Sequence, residues 1–158
     1  MRAEIILSII LSFMVLSCDT GEQEIIIAPR DYTGYIIVIF NQEDGKPVKY
    51  EGKKRIYEIP SDGVLKTQFN SNDGWSDYPE FYYEVIDPEY KLPSNILTEI
   101  ETLPMDTIVG FKGATGSIRK NNYDDERVQF AKYYIGTRSD IKRAKEEAEK
   151  LDIVKLGE

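Results

Sequence analysis

The chain has 158 residues, a formal net charge of −8, no histidine and one cysteine. The missing histidines exclude Ser-His-Asp and Cys-His catalytic systems, and with one cysteine they exclude the His and Cys ligand sets that hold zinc. The acidic charge also argues against nucleic-acid binding, which neutralises phosphates with Lys and Arg. The sequence therefore predicts no metal, no cofactor and no nucleic-acid partner, in a chain long enough for one domain with its own hydrophobic core.

The first residues predict an export signal. The apolar run of residues 5–16 is shorter than the roughly twenty residues that a membrane-spanning helix needs. A positive start at Arg2, a short apolar core and the small Ser17 are typical of a signal peptide that is removed after export. Residues 15–18 (Val-Leu-Ser-Cys) resemble the bacterial lipoprotein signal, in which the cysteine receives a diacylglyceryl group and becomes the first mature residue.

We therefore predict that residues 1–17 are a lipoprotein signal peptide and that Cys18 carries lipid. The alternative is an ordinary secretory signal that contains a cysteine by coincidence. Two or more acyl chains hold a protein stably on a bilayer, whereas the acidic charge provides no attraction to an anionic membrane surface. The predicted location is the bacterial cell envelope, outside the cytoplasm, with residues 18–24 as a short polar tether.

Residues 25–138 carry the patterns of a β domain. Residues 35–40 are β-branched or aromatic on both alternating faces, which predicts a strand buried on both sides at the centre of a sheet. Residues 55–59 and 64–69 flank the turn-forming segment 60–63 (Pro-Ser-Asp-Gly), which predicts a β-hairpin. Further strands are predicted at residues 80–86, 107–111 and 127–135, and residues 96–100 fit either a strand or one helical turn.

The last segment, residues 139–158, has a helical period. Its apolar positions form one stripe that consists of Ile141, Ala144, Ala148, Leu151 and Val154. Ser139 or Asp140 is predicted to cap the helix. The predicted fold class is mainly β, a two-layer antiparallel sandwich or a partly open barrel with a C-terminal α-helix.

Four segments of the β domain resemble a family of uncharacterised bacterial exported domains of unknown function that are often carried on lipoproteins. These segments are residues 32–38, 44–47 (Asp-Gly-Lys-Pro), 57–65 (Tyr-Glu-Ile-Pro-Ser-Asp-Gly-Val-Leu) and 133–137, and the similarity spans residues 27–137. The resemblance implies an extracytoplasmic, mainly β domain and brings no catalytic residues with it. Residues 44–47 and 59–63 are also similar to prealbumin-like sandwich modules, which informs the fold more than the function.

An aromatic segment at residues 74–83 is the candidate ligand-binding site, and Trp75, Asp77 and Tyr78 are its candidate residues. Flat aromatic rings can cover the apolar faces of a sugar, while acids and amides nearby can bind its hydroxyl groups. In the alternative interpretation, Trp75 folds back as a lid on the core and the tyrosines pack along a strand. Large aromatic side chains are mostly buried for this reason.

Three other patterns match a functional motif only in part. Residues 69–80 place Phe69 and Ser71 at the first and third positions, where an EF-hand calcium loop needs oxygen-rich ligands and above all an Asp at the first. Residues 110–117 are rich in glycine but lack the Gly-Lys-Ser/Thr ending of a phosphate-binding loop, and they predict a mobile surface loop. Asp124-Asp125 or Asp77 with Glu80 could supply the two carboxylates of glycoside hydrolysis, although nothing in the sequence selects one pair.

The sequence thus predicts a membrane-anchored extracytoplasmic lipoprotein that acts as a binding or scaffolding module of the cell envelope. Its predicted partners are the membrane, through the lipid on Cys18, and an envelope protein or glycan. A non-enzymatic role is favoured. Two alternatives stay open: a carboxylate-based hydrolase of envelope glycans, and an acidic inhibitor or immunity-type partner of a basic protein.

Overall fold

The computed structural model describes residues 21–94, 99–121 and 125–158. The predicted signal peptide, Cys18, residues 95–98 and Asp124 lie outside the described residues, so the structure leaves the predictions for them open. The strands are β1 (Glu24–Ala28), β2 (Gly34–Ile39), β3 (Tyr50–Glu51), β4 (Lys54–Glu58), β5 (Val64–Lys66), β6 (Glu80–Tyr83), β7 (Lys91–Leu92), β8 (Val109–Arg119) and β9 (Arg127–Gly136). The helices are α1 (Arg138–Glu149) and α2 (Ile153–Leu156), with short 3-10 turns at Pro88–Tyr90 and Ile100–Thr102.

These strands form two sheets that pack face to face and do not close into a barrel. The first sheet has the order β3-β4-β1-β6-β7, and the second has the order β5-β2-β9-β8. Strand β1 is parallel to both of its neighbours and β2 is parallel to β5, whereas the remaining pairs are antiparallel. The predicted mainly β sandwich with a C-terminal helix is confirmed, and its strand directions are mixed rather than wholly antiparallel.

Strand β2 lies in the interior of the second sheet and is buried on both faces, as the sequence of residues 35–40 predicts. Ile36 and Val38 face the first sheet, where they join a core that includes Tyr57 and Phe81. Ile37 and Ile39 face the opposite way and pack under α1. A strand covered on both sides needs apolar residues at successive positions, which explains the unbroken apolar run.

Helix α1 covers the outer face of the second sheet through Ile141, Ala144 and Ala148, which are all buried. It begins after Thr137, whose hydroxyl group and backbone form a reciprocal capping box with Asp140. The segment predicted as a single helix, residues 139–158, forms two helices in the structure. Helix α1 ends at Glu149, and Asp152 caps the separate short helix α2.

The hairpin predicted around residues 60–63 is wrong. Strand β4 pairs with β1 in the first sheet, while β5 pairs in parallel with β2 in the second sheet. The turn therefore crosses from one sheet to the other, and Ile59 and Leu65 on its two sides both enter the core between the sheets. Gly63 has a φ of +79°, where a side chain would be strained and would also collide with the Tyr32 hydroxyl group.

The mobile loop predicted for residues 110–117 is also wrong, because this segment lies within β8 and pairs with β9. Its glycines make room for aromatic rings. A Cβ at Gly110 would overlap the ring of Phe81, and a Cβ at Gly113 would lie 2.6 Å from the ring of Tyr134. The register shifts between Lys112 and Thr115, which marks a β-bulge.

Glu80 connects three strands on the outer face of the first sheet. It forms ion pairs with Lys54 of β4 and Lys91 of β7, and the Tyr82 hydroxyl group donates to its Oε2 atom at 2.7 Å. Burial raises the pKa of Glu80, but hydrogen bonds from Lys54, Tyr82 and Lys91 outweigh that effect and lower the pKa to about 2. The carboxylate is therefore ionised at neutral pH.

We predict that Gly110→Ala destabilises the protein by about 1–3 kcal/mol, because the added methyl group must displace the buried Phe81 ring. Urea unfolding measures the difference. The matched control is Gly116→Ala in the same strand, where the new Cβ lies 3.2 Å from the half-exposed Phe130 ring and a small change is expected. Equal stability of the two variants would contradict the packing role of Gly110.

We predict that Glu80→Gln lowers stability at about pH 6 and that its effect shrinks toward pH 2. The folded state lowers the pKa of Glu80 below its unfolded value near 4.3, so the ionised form stabilises the fold above that value. This contribution is lost as the pH falls through about 2. Urea unfolding midpoints across this pH range test it, with Glu58→Gln at an exposed ion pair as control. A constant difference at all pH values would refute it.

Candidate functional site

A cleft opens between the two sheets at one end of the sandwich, with a volume of about 280 Å³. It lies where β1 begins, β2 ends and the β8–β9 pair extends beyond the rest of the second sheet. Its lining is polar with two aromatic rings, and consists of Glu24, Phe40, Ser71, Asn72, Asp73, Thr115, Gly116, Ser117, Gln129 and Phe130. Its volume lies near the lower limit of the clefts that bind small molecules.

Glu24 lies at the inner end of this cleft and is only 1% exposed. Its Oε2 atom accepts hydrogen bonds from the Tyr133 hydroxyl group at 2.9 Å and from Lys112 Nζ at 3.4 Å. Its Oε1 atom accepts from Asn72 Nδ2 at 3.0 Å and from the Tyr57 hydroxyl group at 3.5 Å. These four donors compensate a buried carboxylate that would otherwise be very costly.

The environment of Glu24 also determines the state of its tyrosine partner. Burial, and next the negative charge of Glu24, raise the pKa of Tyr133 well above its usual value. The Tyr133 hydroxyl group therefore remains protonated and donates to the carboxylate.

Sequence reasoning missed Glu24 because it stands in the polar segment assigned to the tether. The alternation of Glu24, Ile26 and Ala28 on the inner face of β1 was the signal that could have found it.

The three predicted site residues lie on one loop, residues 70–79, but have different surroundings. Trp75 is 84% exposed, so the alternative in which it covers the core does not hold. Asp77 is exposed as well. Tyr78 is half-buried against the core between the sheets, and its hydroxyl oxygen accepts a 2.6 Å hydrogen bond from the backbone N–H of Lys112. Tyr78 therefore attaches the loop to β8.

The start of the described chain holds the other end of this loop. The backbone N–H of Glu22 donates to Asn72 Oδ1 at 2.9 Å, and Asn72 Nδ2 donates back to the carbonyl oxygen of Glu22 at 2.6 Å. The Asn72 amide is one of the nearby amides that could have bound sugar hydroxyl groups, but it is thus used inside the protein. Residues 21–23 pack against the domain, and β1 already begins at Glu24 within the segment predicted as a tether.

The described residues give little support to a carboxylate pair. Glu80 is held in its ion-pair cluster with a pKa of about 2, so it cannot deliver a proton at neutral pH as the partner of Asp77.

In the described part of the chain, no group of three or more acidic side chains is arranged to hold a metal ion. Within the same residues, no helix is long and apolar enough to cross a membrane.

Comparison with known proteins places the chain in a family. No curated protein sequence matches it. A crystal structure of a candidate lipoprotein from Bacillus anthracis is similar over 72% of this chain and 69% of its own, with 16% identity and a TM-score of 0.49. The model described as "Family of unknown function (DUF6843)" matches residues 20–143, which confirms the resemblance to an uncharacterised family seen in the sequence. With most of its length matched by that model, the chain belongs to the DUF6843 family of unknown function.

Proposed function

We propose that this protein is a lipid-anchored binding module of the bacterial cell envelope. Lipid on Cys18 holds it at a membrane, and the loop of residues 70–79 is its binding surface. The observation that carries the proposal is the exposure of Trp75, the only tryptophan of the chain. Tryptophan is a large amphipathic ring that is strongly enriched where proteins bind their partners.

The loop presents Trp75 from a fixed backbone. Asn72, three residues before it, is bound to Glu22 and Glu24, and Tyr78, three residues after it, is bound to Lys112. A loop that is held on both sides loses little conformational entropy when it binds. This preorganisation is expected of a contact surface and is not needed in a solvated turn.

A binding role explains the described geometry better than hydrolysis does. The carboxylate inside the cleft, Glu24, already accepts hydrogen bonds from four donors, so its lone pairs are used within the protein. Asp77, beside Trp75, is exposed and free to accept hydrogen bonds from a ligand at the surface. The proposed contact residues are therefore Trp75 and Asp77, with Tyr78 as the residue that positions the loop.

We predict that the mature N-terminus is a lipid-modified Cys18. Mass spectrometry of the N-terminal peptide, after expression of the full chain in a bacterium, should show loss of residues 1–17 and the mass of a diacylglyceryl group. In Cys18→Ser, the lipid mass should be absent and removal of the signal should fail. An unmodified thiol at Cys18, or identical processing of both proteins, would establish the ordinary secretory signal instead.

We predict that Tyr78→Phe costs about 1 kcal/mol, because the Lys112 N–H loses its acceptor in a partly buried place. Hydrogen exchange at the Lys112 amide should become faster, and urea unfolding should show the loss of stability. Tyr35→Phe is the control, since Tyr35 is half-buried and its hydroxyl group has no hydrogen-bond partner among the described residues. Unchanged exchange at Lys112 would show that Tyr78 does not hold the loop.

A further inference from the structure

We infer that Trp75 inserts into the headgroup layer of the same membrane that holds the lipid on Cys18, so that the loop of residues 70–79 docks the domain on the bilayer. The inference rests on the lipid attachment proposed above and names the partner of the same loop. Its occupant is a lipid surface, which the position of the loop relative to the start of the fold favours over a glycan.

The chain between the proposed lipid on Cys18 and the fold is short. Gly21 is the first described residue, and it is three residues from Cys18. Three residues span at most about 11 Å when extended. The headgroup layer on each side of a bilayer is itself roughly 5–8 Å thick. The side of the domain that carries Gly21 must therefore stay beside the membrane.

Gly21 lies against the loop that carries Trp75. A Cβ built on Gly21 would lie 3.2 Å from the carbonyl oxygens of Asp73 and Gly74, and Trp75 follows directly in the chain. The hydrogen bonds between Glu22 and Asn72 fix this contact. The exposed ring therefore projects from the part of the surface that is nearest to the anchoring point.

The surface around Gly21 carries side chains that favour a headgroup layer. Tryptophan and tyrosine prefer the headgroup region of a bilayer, where their rings lie in an amphipathic layer and their polar atoms meet water. On the other side of residues 21–23, an open groove is lined by Tyr50, Lys53 and Lys54, and Tyr50 is 45% exposed. Lys54 is already paired with Glu80, so the exposed Lys53 is the lysine whose side chain can extend to a lipid phosphate from this groove.

The acids of the same region define which membrane fits. Asp73 and Asp77 are exposed beside Trp75, and Glu51 lies in the groove next to the lysines. These carboxylates are repelled by a strongly anionic surface within a Debye length of about 8 Å. The surface thus suits a membrane rich in zwitterionic headgroups, on which the ring contributes without an electrostatic cost.

The test uses the fact that Trp75 is the only tryptophan, so that its fluorescence reports on this position alone. The lipidated protein is purified from bacterial membranes and reconstituted into phosphatidylcholine vesicles, with and without lipids brominated near the headgroup. We expect emission that is blue-shifted relative to the protein in water, and quenching by the brominated lipid.

A matched control moves the reporter to the opposite end of the first sheet. Val85 is 49% exposed and follows β6, whose Tyr83 pairs with Ala28 at the far end of β1 from Gly21. The four steps along the five residues of β1 place about 13 Å between its two ends. The double variant Trp75→Phe/Val85→Trp should therefore show water-like emission and no quenching.

The outcomes separate the two proposals. If the protein floats with the vesicles but Trp75 is quenched no more than the reporter at position 85, the docking is refuted and the lipid anchor stands. If the protein does not float with the vesicles, the lipid anchor fails and the docking fails with it. If peptidoglycan fragments protect Trp75 from iodide quenching while vesicles do not, the ring binds glycan and the docking is overturned.

Discussion

The arrangement of the two sheets depends on one buried carboxylate, that of Glu24. It is the first residue of β1, and its donors come from β4, the loop of residues 70–79, β8 and β9: Tyr57, Asn72, Lys112 and Tyr133. Removing one partner of a buried charge typically costs about 3–5 kcal/mol, because the remaining charge is left without compensation. The bonds reach from β1 of the first sheet to Lys112 and Tyr133 of the second sheet, so they add a directional link to the apolar packing between the sheets.

The same network connects the beginning of the fold to the exposed loop. Asn72 binds Glu24 through its side chain and Glu22 through both its amide oxygen and its amide nitrogen. The position of Trp75 therefore follows from the position of the first residues of the chain. A lipid attached a few residues earlier would be coupled mechanically to the loop, because no long flexible segment separates them.

Local patterns predicted the parts of the fold that depend on local burial. The apolar run of residues 35–40 identified a strand covered on both faces, and the spacing of Ile141, Ala144 and Ala148 identified the helix that covers it. The pairing of β5 with β2 and the inclusion of residues 110–117 in β8 depend instead on distant partners. Gly110, for example, is needed because the ring of Phe81, which lies in the other sheet, packs against it. The glycine-rich composition of residues 110–117 does not reveal that partner, and alone it suggested a loop.

The same limit applies to the candidate site residues, because their surroundings depend on distant parts of the chain. The sequence left open whether Trp75 is exposed or covers the core, and the structure shows it exposed. The buried Glu24 was not predictable, because nothing in its neighbours along the chain indicates four distant donors. The net charge of −8 also affects how the surface around Trp75 would meet a membrane. A domain of this charge gains nothing from the electrostatics of an anionic bilayer, so the proposed contact with lipid would depend on the proposed anchor and on side chains that favour the interface. Near Gly21, the fold exposes side chains of this kind beside several acids: the Trp75 ring on a loop held at both ends, and Tyr50 with Lys53 across the entering chain.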